Sequence, residues 1–180
     1  ISIDTLRADH LSSYGHDRQT SPRIDRFGAE GALFENAFSH SPKTAAAHMT
    51  LMTGLYPEAH RVKNRLNGAT EWLGSLSADI PVLAEFLRGA GYRTHARTGG
   101  GNLHGDIGFS RGFDSYVDPQ AESGKGIFRS SIAQLNALAR AEQPFFLFVH
   151  TNATHSPYLP PKRFRDAFLD PAYAGKISRT

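Results

Sequence analysis

An α/β fold built on a parallel sheet is predicted by two observations. Apolar, strand-like runs alternate with segments of helical spacing along the 180 residues, the pattern of helices laid on the faces of a parallel sheet. The run Phe145–His150 is continuously apolar after Pro144 and does not alternate, as expected of a strand covered on both faces.

Each element follows in order. Ile1–Asp4 reads as the end of a buried strand. Ser21 and Pro22, followed by Ile24, Phe27 and Ala32, read as an N-cap, a helix-initiating proline and a short amphipathic helix. Leu33–Phe38 is apolar and aromatic enough for a short strand. Thr44–Thr53 predicts a helix closed by Gly54. Glu58–Asp79 has few apolar anchors and reads as a long solvent-facing loop. Helical spacing returns at Ile80, Leu83, Phe86 and Leu87 and stops at Gly89-Ala90-Gly91; Tyr92–Thr98 is then a strand broken by Gly99–Gly101. Ile127–Ala141 predicts the longest helix, with Ile127, Ile132, Leu135 and Leu138 on one stripe. The opening at Ile1 without a polar lead-in, and the run-out over Pro171–Thr180, predict a single domain incomplete at both ends.

Hydrophobic residues make up 39% and charged residues 21%, which is globular composition. The net charge is +3 with Lys and Arg scattered, so a nucleic-acid face is not expected. No stretch approaches the ~20 apolar residues of a membrane span. The chain has no cysteine, which excludes thiolate metal sites and disulfides within it.

Two segments carry chemistry. Asp4 ends an apolar run, and in open parallel sheets ligands gather beyond the carboxyl ends of strands. Its carboxylate either holds a hard divalent cation or caps the following turn. In the second segment, Pro42 disfavours helix before it and three alanines favour helix after it. Thr44 thus falls at a helix N-terminus, where free N–H groups and the dipole attract anions such as sulfate or phosphate. His48, four residues on, shares its face, and Lys43 adds a cation. Thr44 is either a helix cap or a hydroxyl nucleophile, which needs a base or a coordinated metal.

The chain resembles the sulfatase family of the alkaline phosphatase superfamily. The resemblance rests on an ordered series: ISIDTLRADHLSSYG at 1–15, TSPRIDRFGAEGALFENAFSHSP at 20–42, TAAAHMTLMTGLYPEAH at 44–60, IPVLAEFLRGAGYRT at 80–94, GFSRGFDSY at 108–116 and PFFLFVHTNATHSPYLPP at 144–161. It implies a three-layer sandwich around a mostly parallel sheet, with residues 1–180 forming the N-terminal portion of one catalytic domain. The second metal motif and the C-terminal region lie outside the sequence.

The resemblance also implies roles. Asp4 matches the first metal-binding aspartate. Thr5 stands where many members have a second aspartate, and with Thr44 it completes the candidate metal ligands. Thr44, ten residues before Gly54, matches the Cys or Ser that sulfatases convert to formylglycine. A threonine cannot be so converted, and the family's proline and arginine in this signature are Ala46 and His48 here. His155 matches the histidine that contacts sulfate or phosphate oxygens; the alternative is a loop histidine packed on Pro157 and Tyr158. Thr44, His48 and His155 are therefore the candidate catalytic residues. Lys43, His150, Asn152 and His104 are candidate substrate contacts, although His104, which replaces a family lysine, also fits a glycine-rich surface loop.

One divalent cation is implied, with calcium the family default and manganese, magnesium or zinc as alternatives. The implied partner is a small anionic ester. The leading expectation is a hydrolase of sulfuric esters. The alternatives are a phosphodiesterase, phosphonate hydrolase or phosphotransferase of the same superfamily, and a catalytically silent anion-binding homologue.

Overall fold

The structure, a computed structural model, describes residues 1–64, 74–118, 124–158 and 160–168. Its centre is a four-stranded sheet of β1 (Ser2–Ile3), β2 (Arg93–Arg97), β3 (Ser115–Val117) and β4 (Phe145–Thr151) in the order β1-β4-β2-β3. Every pairing is parallel; Ser2 lies opposite His150, His95 opposite Leu147 and His95 opposite Ser115. The helices are α1 (Pro22–Ala29), α2 (Thr44–Thr53), α3 (Pro57–His60), α4 (Leu83–Gly89), α5 (Gly124–Leu138) and α6 (Lys162–Phe168). This is the predicted α/β architecture, a parallel sheet flanked by helices.

The core lies where α2 and α4 meet the sheet. Ala45, Met49 and Met52 of α2 pack with Val82, Ala84, Ala96 and Phe148. Ile127 and Leu138 of α5 are buried apart from this cluster, as is Val149, which strand alternation turns away from Phe148. The small alanines let α2 approach the sheet closely, so its N-terminus is delivered to the carboxyl edge. Helix α2 has the predicted bounds, and Gly54 closes it at φ +70°, where a side chain would be strained.

Three expectations are corrected. Leu33–Phe38 is not a strand: its residues are exposed and pair with no neighbouring strand among the described residues, Phe34 and Phe38 being 73% and 83% exposed. Aromatic composition without a partner edge does not make a strand. The stretch from Glu58 to Asp79 is not anchorless. It contains the end of α3, and Val62 and Leu76 enter the core while His60 is buried; its residues 65–73 lie outside the described residues. On α5, Ile132 and Leu135 are exposed; the inward face runs through Ile127, Ser131, Gln134 and Leu138, a spacing of four, three and four that holds one side of a helix. Strand β3 was not foreseen, because Ser115–Val117 is too short to show a period.

The turn before β3 is locked against α4. Gly112 has φ +77°, and a Cβ there would lie 2.3 Å from the Glu85 nitrogen and 2.6 Å from the Ala84 carbonyl carbon. Its own carbonyl accepts from Thr94 Oγ1 at 2.8 Å. Gly112→Ala should destabilise the protein by about 3 kcal/mol or more, through overpacking and backbone strain together. A lowered midpoint in chemical denaturation checks this; an unchanged midpoint would contradict the packing described.

Candidate active site

The carboxyl ends of β1 and β4 and the N-terminus of α2 meet at one cleft of about 1090 Å³. Asp4 directly follows β1, and its backbone N–H donates to Thr151 O at 2.9 Å, extending the β1–β4 ladder by one bond. Beyond it the chain turns sharply: Thr5 sits at φ +53°, an outlier for a β-branched residue. The strained turn is clasped from both sides. Thr5 Oγ1 donates to Thr154 O at 3.0 Å, and Thr154 Oγ1 donates to Asp4 O. The Asp4 side chain is thereby aimed across the sheet edge towards α2.

Thr44 receives that carboxylate. Lys43 occupies the N-cap of α2 without a side-chain cap bond, and Thr44 is the first helical residue. The Thr44 side chain does not cap its own helix. Its Oγ1 makes a long, bifurcated contact with both Asp4 carboxylate oxygens, 3.4 Å to each. The Thr44 hydroxyl thus faces the Asp4 carboxylate at the N-terminus of α2.

His48 ties the two elements together. Its Nδ1 lies 2.8 Å from Thr44 O, and its Nε2 lies 2.7 Å from Ser2 Oγ. Burial holds the imidazole pKa below its ordinary value, opposed by the Thr44 carbonyl bond and by Asp4. The ring is therefore neutral near pH 7, and a carbonyl can only accept. Nδ1 thus carries the proton and donates to Thr44 O, which leaves Nε2 to accept from the Ser2 hydroxyl. Both nitrogens are engaged, one with the turn bearing Thr44 and one with the strand bearing Asp4.

His150 lies beneath this bridge. It is 2% exposed, and its ring meets that of His48 edge to face at 4.8 Å. Burial first, and then His48, push its pKa down to about 3. An unfolded histidine titrates near 6.5, so from about pH 6.5 down to pH 3 the unfolded chain binds a proton that the folded chain does not. The stability contributed by neutral His150 is thus complete above about pH 6.5 and falls by about 1.4 kcal/mol per pH unit below it. His150→Gln should flatten the acid limb of a plot of unfolding free energy against pH; an unaltered slope would contradict this burial.

The other candidates divide. Lys43 and His155 line the cleft with Asp4, Thr5, Thr44 and His48. His155 Nδ1 donates to Ser156 O at 2.8 Å, leaving Nε2 as its remaining polar atom. His150, Asn152 and His104 are not in the cleft wall. Asn152 lies against Gly99, with Oδ1 only 3.1 Å from where a Gly99 Cβ would stand. His104 Nδ1 accepts from Asp106 N at 3.3 Å and caps a turn of 3-10 helix, with Asp106 and Asp118 carboxylates beside it. Sequence reasoning missed Ser2, Thr154 and Asn64. Their partners are 46, 150 and 19 positions away, and no local pattern signals such pairings.

Residues 1–174 match the family model described as Sulfatase. An N-acetylgalactosamine-6-O-sulfatase of Bacteroides thetaiotaomicron is 30% identical over 125 residues, covering 68% of this chain and 24% of that protein. Phosphonate monoester hydrolase of Agrobacterium radiobacter has a similar fold, with a TM-score of 0.69 at 22% identity over 91% of this chain and 42% of that one. A protein of the alkaline phosphatase superfamily from Vibrio parahaemolyticus does likewise, with a TM-score of 0.65 at 18% identity over 99% of this chain and 44% of that one. The chain thus spans about a quarter of that curated relative and under half of these two structures. With the family model matched over nearly its whole length, the chain belongs to the sulfatase family.

Proposed function

We propose that this chain carries the nucleophile of a metal-dependent hydrolase of sulfuric esters, with Thr44 as that nucleophile. The observation supporting it is the Thr44 hydroxyl held 3.4 Å from both Asp4 carboxylate oxygens at the N-terminus of α2. Membership of the sulfatase family supports the substrate class. Nothing in Thr44 can supply the second hydroxyl of a formylglycine hydrate, so its covalent ester must be opened by water.

Asp4 and Thr44 offer hard oxygen donors, which suit calcium or magnesium and also accept manganese or zinc. Among the described residues no group of three or more His, Asp or Glu gathers to hold a metal alone. The pair therefore fits as part of a larger oxygen set, with Thr5 beside it. A divalent cation there lowers the pKa of a coordinated hydroxyl and offsets charge on the ester.

The chain's own groups then act as follows. Thr44 Oγ1 attacks sulfur, its proton passing towards the Asp4 carboxylate. A new oxygen–sulfur bond forms as the bond from sulfur to the alcohol oxygen breaks. A proton reaches the leaving oxygen by way of His155 Nε2, so the alcohol departs neutral. Water then attacks the Thr44 sulfate ester, releasing hydrogen sulfate and restoring the hydroxyl. Lys43 and the free N–H groups of α2 balance the negative charge of the group in transfer. His48 holds Thr44 and β1 in register, since both its nitrogens are already bonded.

A single hydroxyl nucleophile serves phosphoryl transfer equally well, and this favours phosphodiester or phosphonate hydrolysis, or phosphotransfer, as the second reading. The full-length protein should be assayed on an aryl sulfate and a bis-aryl phosphate, each with calcium, magnesium, manganese and zinc. The proposal expects the aryl sulfate to be turned over faster. Faster phosphate ester cleavage selects the second reading. Turnover of neither, with sulfate still bound, means an inactive anion-binding homologue.

A further inference from the structure

We propose that Ser2 is a positioning residue of the cleft, whose hydroxyl locks the His48 ring and, through it, the first turn of α2 that presents Thr44 to Asp4. The proposal rests on Thr44 as the nucleophile, as read above, and gives a task to a residue of β1 that does not itself react. Ser2 and Asp4 flank Ile3 along the strand, so both face α2. Thr44 and His48 lie about one turn apart on α2, and both face β1. Two residues of strand span about 6.6 Å and one turn of helix about 5.4 Å. Strand and helix therefore meet in two matched rungs, Ser2 with His48 and Asp4 with Thr44.

The rungs are unequal. Ser2 Oγ lies 2.7 Å from His48 Nε2, whereas Thr44 Oγ1 lies 3.4 Å from each Asp4 carboxylate oxygen. The long rung carries the chemistry, and contacts of that length do not fix a hydroxyl by themselves. The short rung sets the spacing at which the long one is held. Its strand end is anchored in turn, because Ser2 lies opposite His150 in the parallel pairing of β1 with β4.

Packing alone does not orient the His48 ring. It meets two rings of β4 on the same face of the sheet, His150 at 4.8 Å and Phe148 at 6.3 Å, both near edge to face. These contacts limit its tilt. They do not choose which nitrogen carries the proton, nor do they forbid a half-turn about the Cβ–Cγ bond. Among the described residues the nitrogens of His150 have no hydrogen-bond partner, so that ring supplies contact only. The two bonds of His48 make the choice: Nδ1–H donates to Thr44 O, and the Ser2 hydroxyl donates to Nε2. A half-turn would set carbon atoms at both places and lose both bonds. Without the Ser2 hydroxyl one bond is already gone, and the ring loses its hold on the turn bearing Thr44.

The test uses full-length protein with isotope-labelled histidine, and combines kinetics on an aryl sulfate with NMR of the ring nitrogens at neutral pH. The His48 signals are assigned by their loss in His48→Asn. Ser2→Ala should lower kcat by about 10- to 100-fold, the scale on which a small displacement of a reacting group is felt. KM should stay within about twofold of wild type. The His48 ring, a single Nδ1–H species in wild type, should divide between tautomers in Ser2→Ala. Ser2→Thr keeps the hydroxyl on a residue suited to a strand, and should restore both kcat and the single tautomer. Ser2→Ala with wild-type kcat would overturn the proposal, as would a lowered kcat with the His48 ring still in its single tautomer. The ring spectrum needs no turnover. Wild-type protein that shows the single tautomer, lost in Ser2→Ala, yet cleaves neither an aryl sulfate nor a bis-aryl phosphate would overturn Thr44 as the nucleophile and leave the lock on His48 standing.

Discussion

Thr44→Ala should reduce kcat by about 10⁴-fold or more, the scale on which removal of a nucleophile is felt. The reduction should fall on kcat, because the hydroxyl contributes little to holding the ground-state ester. Folding should be almost untouched. Thr44 opens α2 without capping it, and the His48 bond goes to its backbone carbonyl, which alanine keeps. Thr44→Ser should retain measurable turnover, since the hydroxyl is preserved and only the methyl that restricts its rotamer is lost. Steady-state kinetics of the two variants, beside their thermal midpoints, checks this. Alanine with wild-type kcat would remove Thr44 from the chemistry.

Asp4→Asn should be nearly as severe, with kcat lower by about 10³-fold or more. The substitution keeps size and most hydrogen-bonding shape but removes the charge that faces Thr44. Its backbone bonds to Thr151 and Thr154 remain, so the sheet edge should hold and the thermal midpoint should move little. The variant should also bind its divalent cation more weakly, and added metal should recover part of the rate. Kinetics at rising metal concentration reads both effects together. A variant with unchanged kcat and unchanged metal dependence would mean that Asp4 serves the turn and not the chemistry.

The elements that proved legible in the sequence are those whose signals are local. Helix α2 reads correctly to the residue because Pro42, the alanine run and Gly54 set its start, body and stop within one short segment. Strand β4 reads correctly because a strand central in a parallel sheet is apolar throughout. Leu33–Phe38 misleads because strand formation needs a partner edge, which composition does not report. Helix α5 misleads more subtly. Its inward face contains Ser131 and Gln134 while Ile132 and Leu135 stay exposed, so the largest apolar residues do not mark the packed side.

At the site the same division holds. Asp4, Lys43, Thr44, His48 and His155 do converge on one cleft, because strand ends and a helix start are positions a sequence can reveal. Asn152 and His104 lie elsewhere, although each is close in sequence to a residue at the sheet edge. What could not be read is the long-range bonding. Ser2 is an unremarked alternate residue of a strand until His48 is found across from it. Asn64 lies within the loop stretch Glu58–Asp79 and gains meaning only when its oxygen is seen on Ala45. These contacts convert two separate signals, a carboxylate and a hydroxyl, into one geometry.

The most direct test of the central claim is to catch the covalent ester. Full-length protein turning over an aryl sulfate should be quenched in acid, digested and sequenced by mass spectrometry, with a bis-aryl phosphate run in parallel. A sulfuryl group on the peptide containing Thr44, localised to that residue and absent from Thr44→Ala, is the result this account predicts. Steady turnover with Thr44 unmodified and the group carried by another residue, or by none while Thr44→Ala remains active, would contradict it.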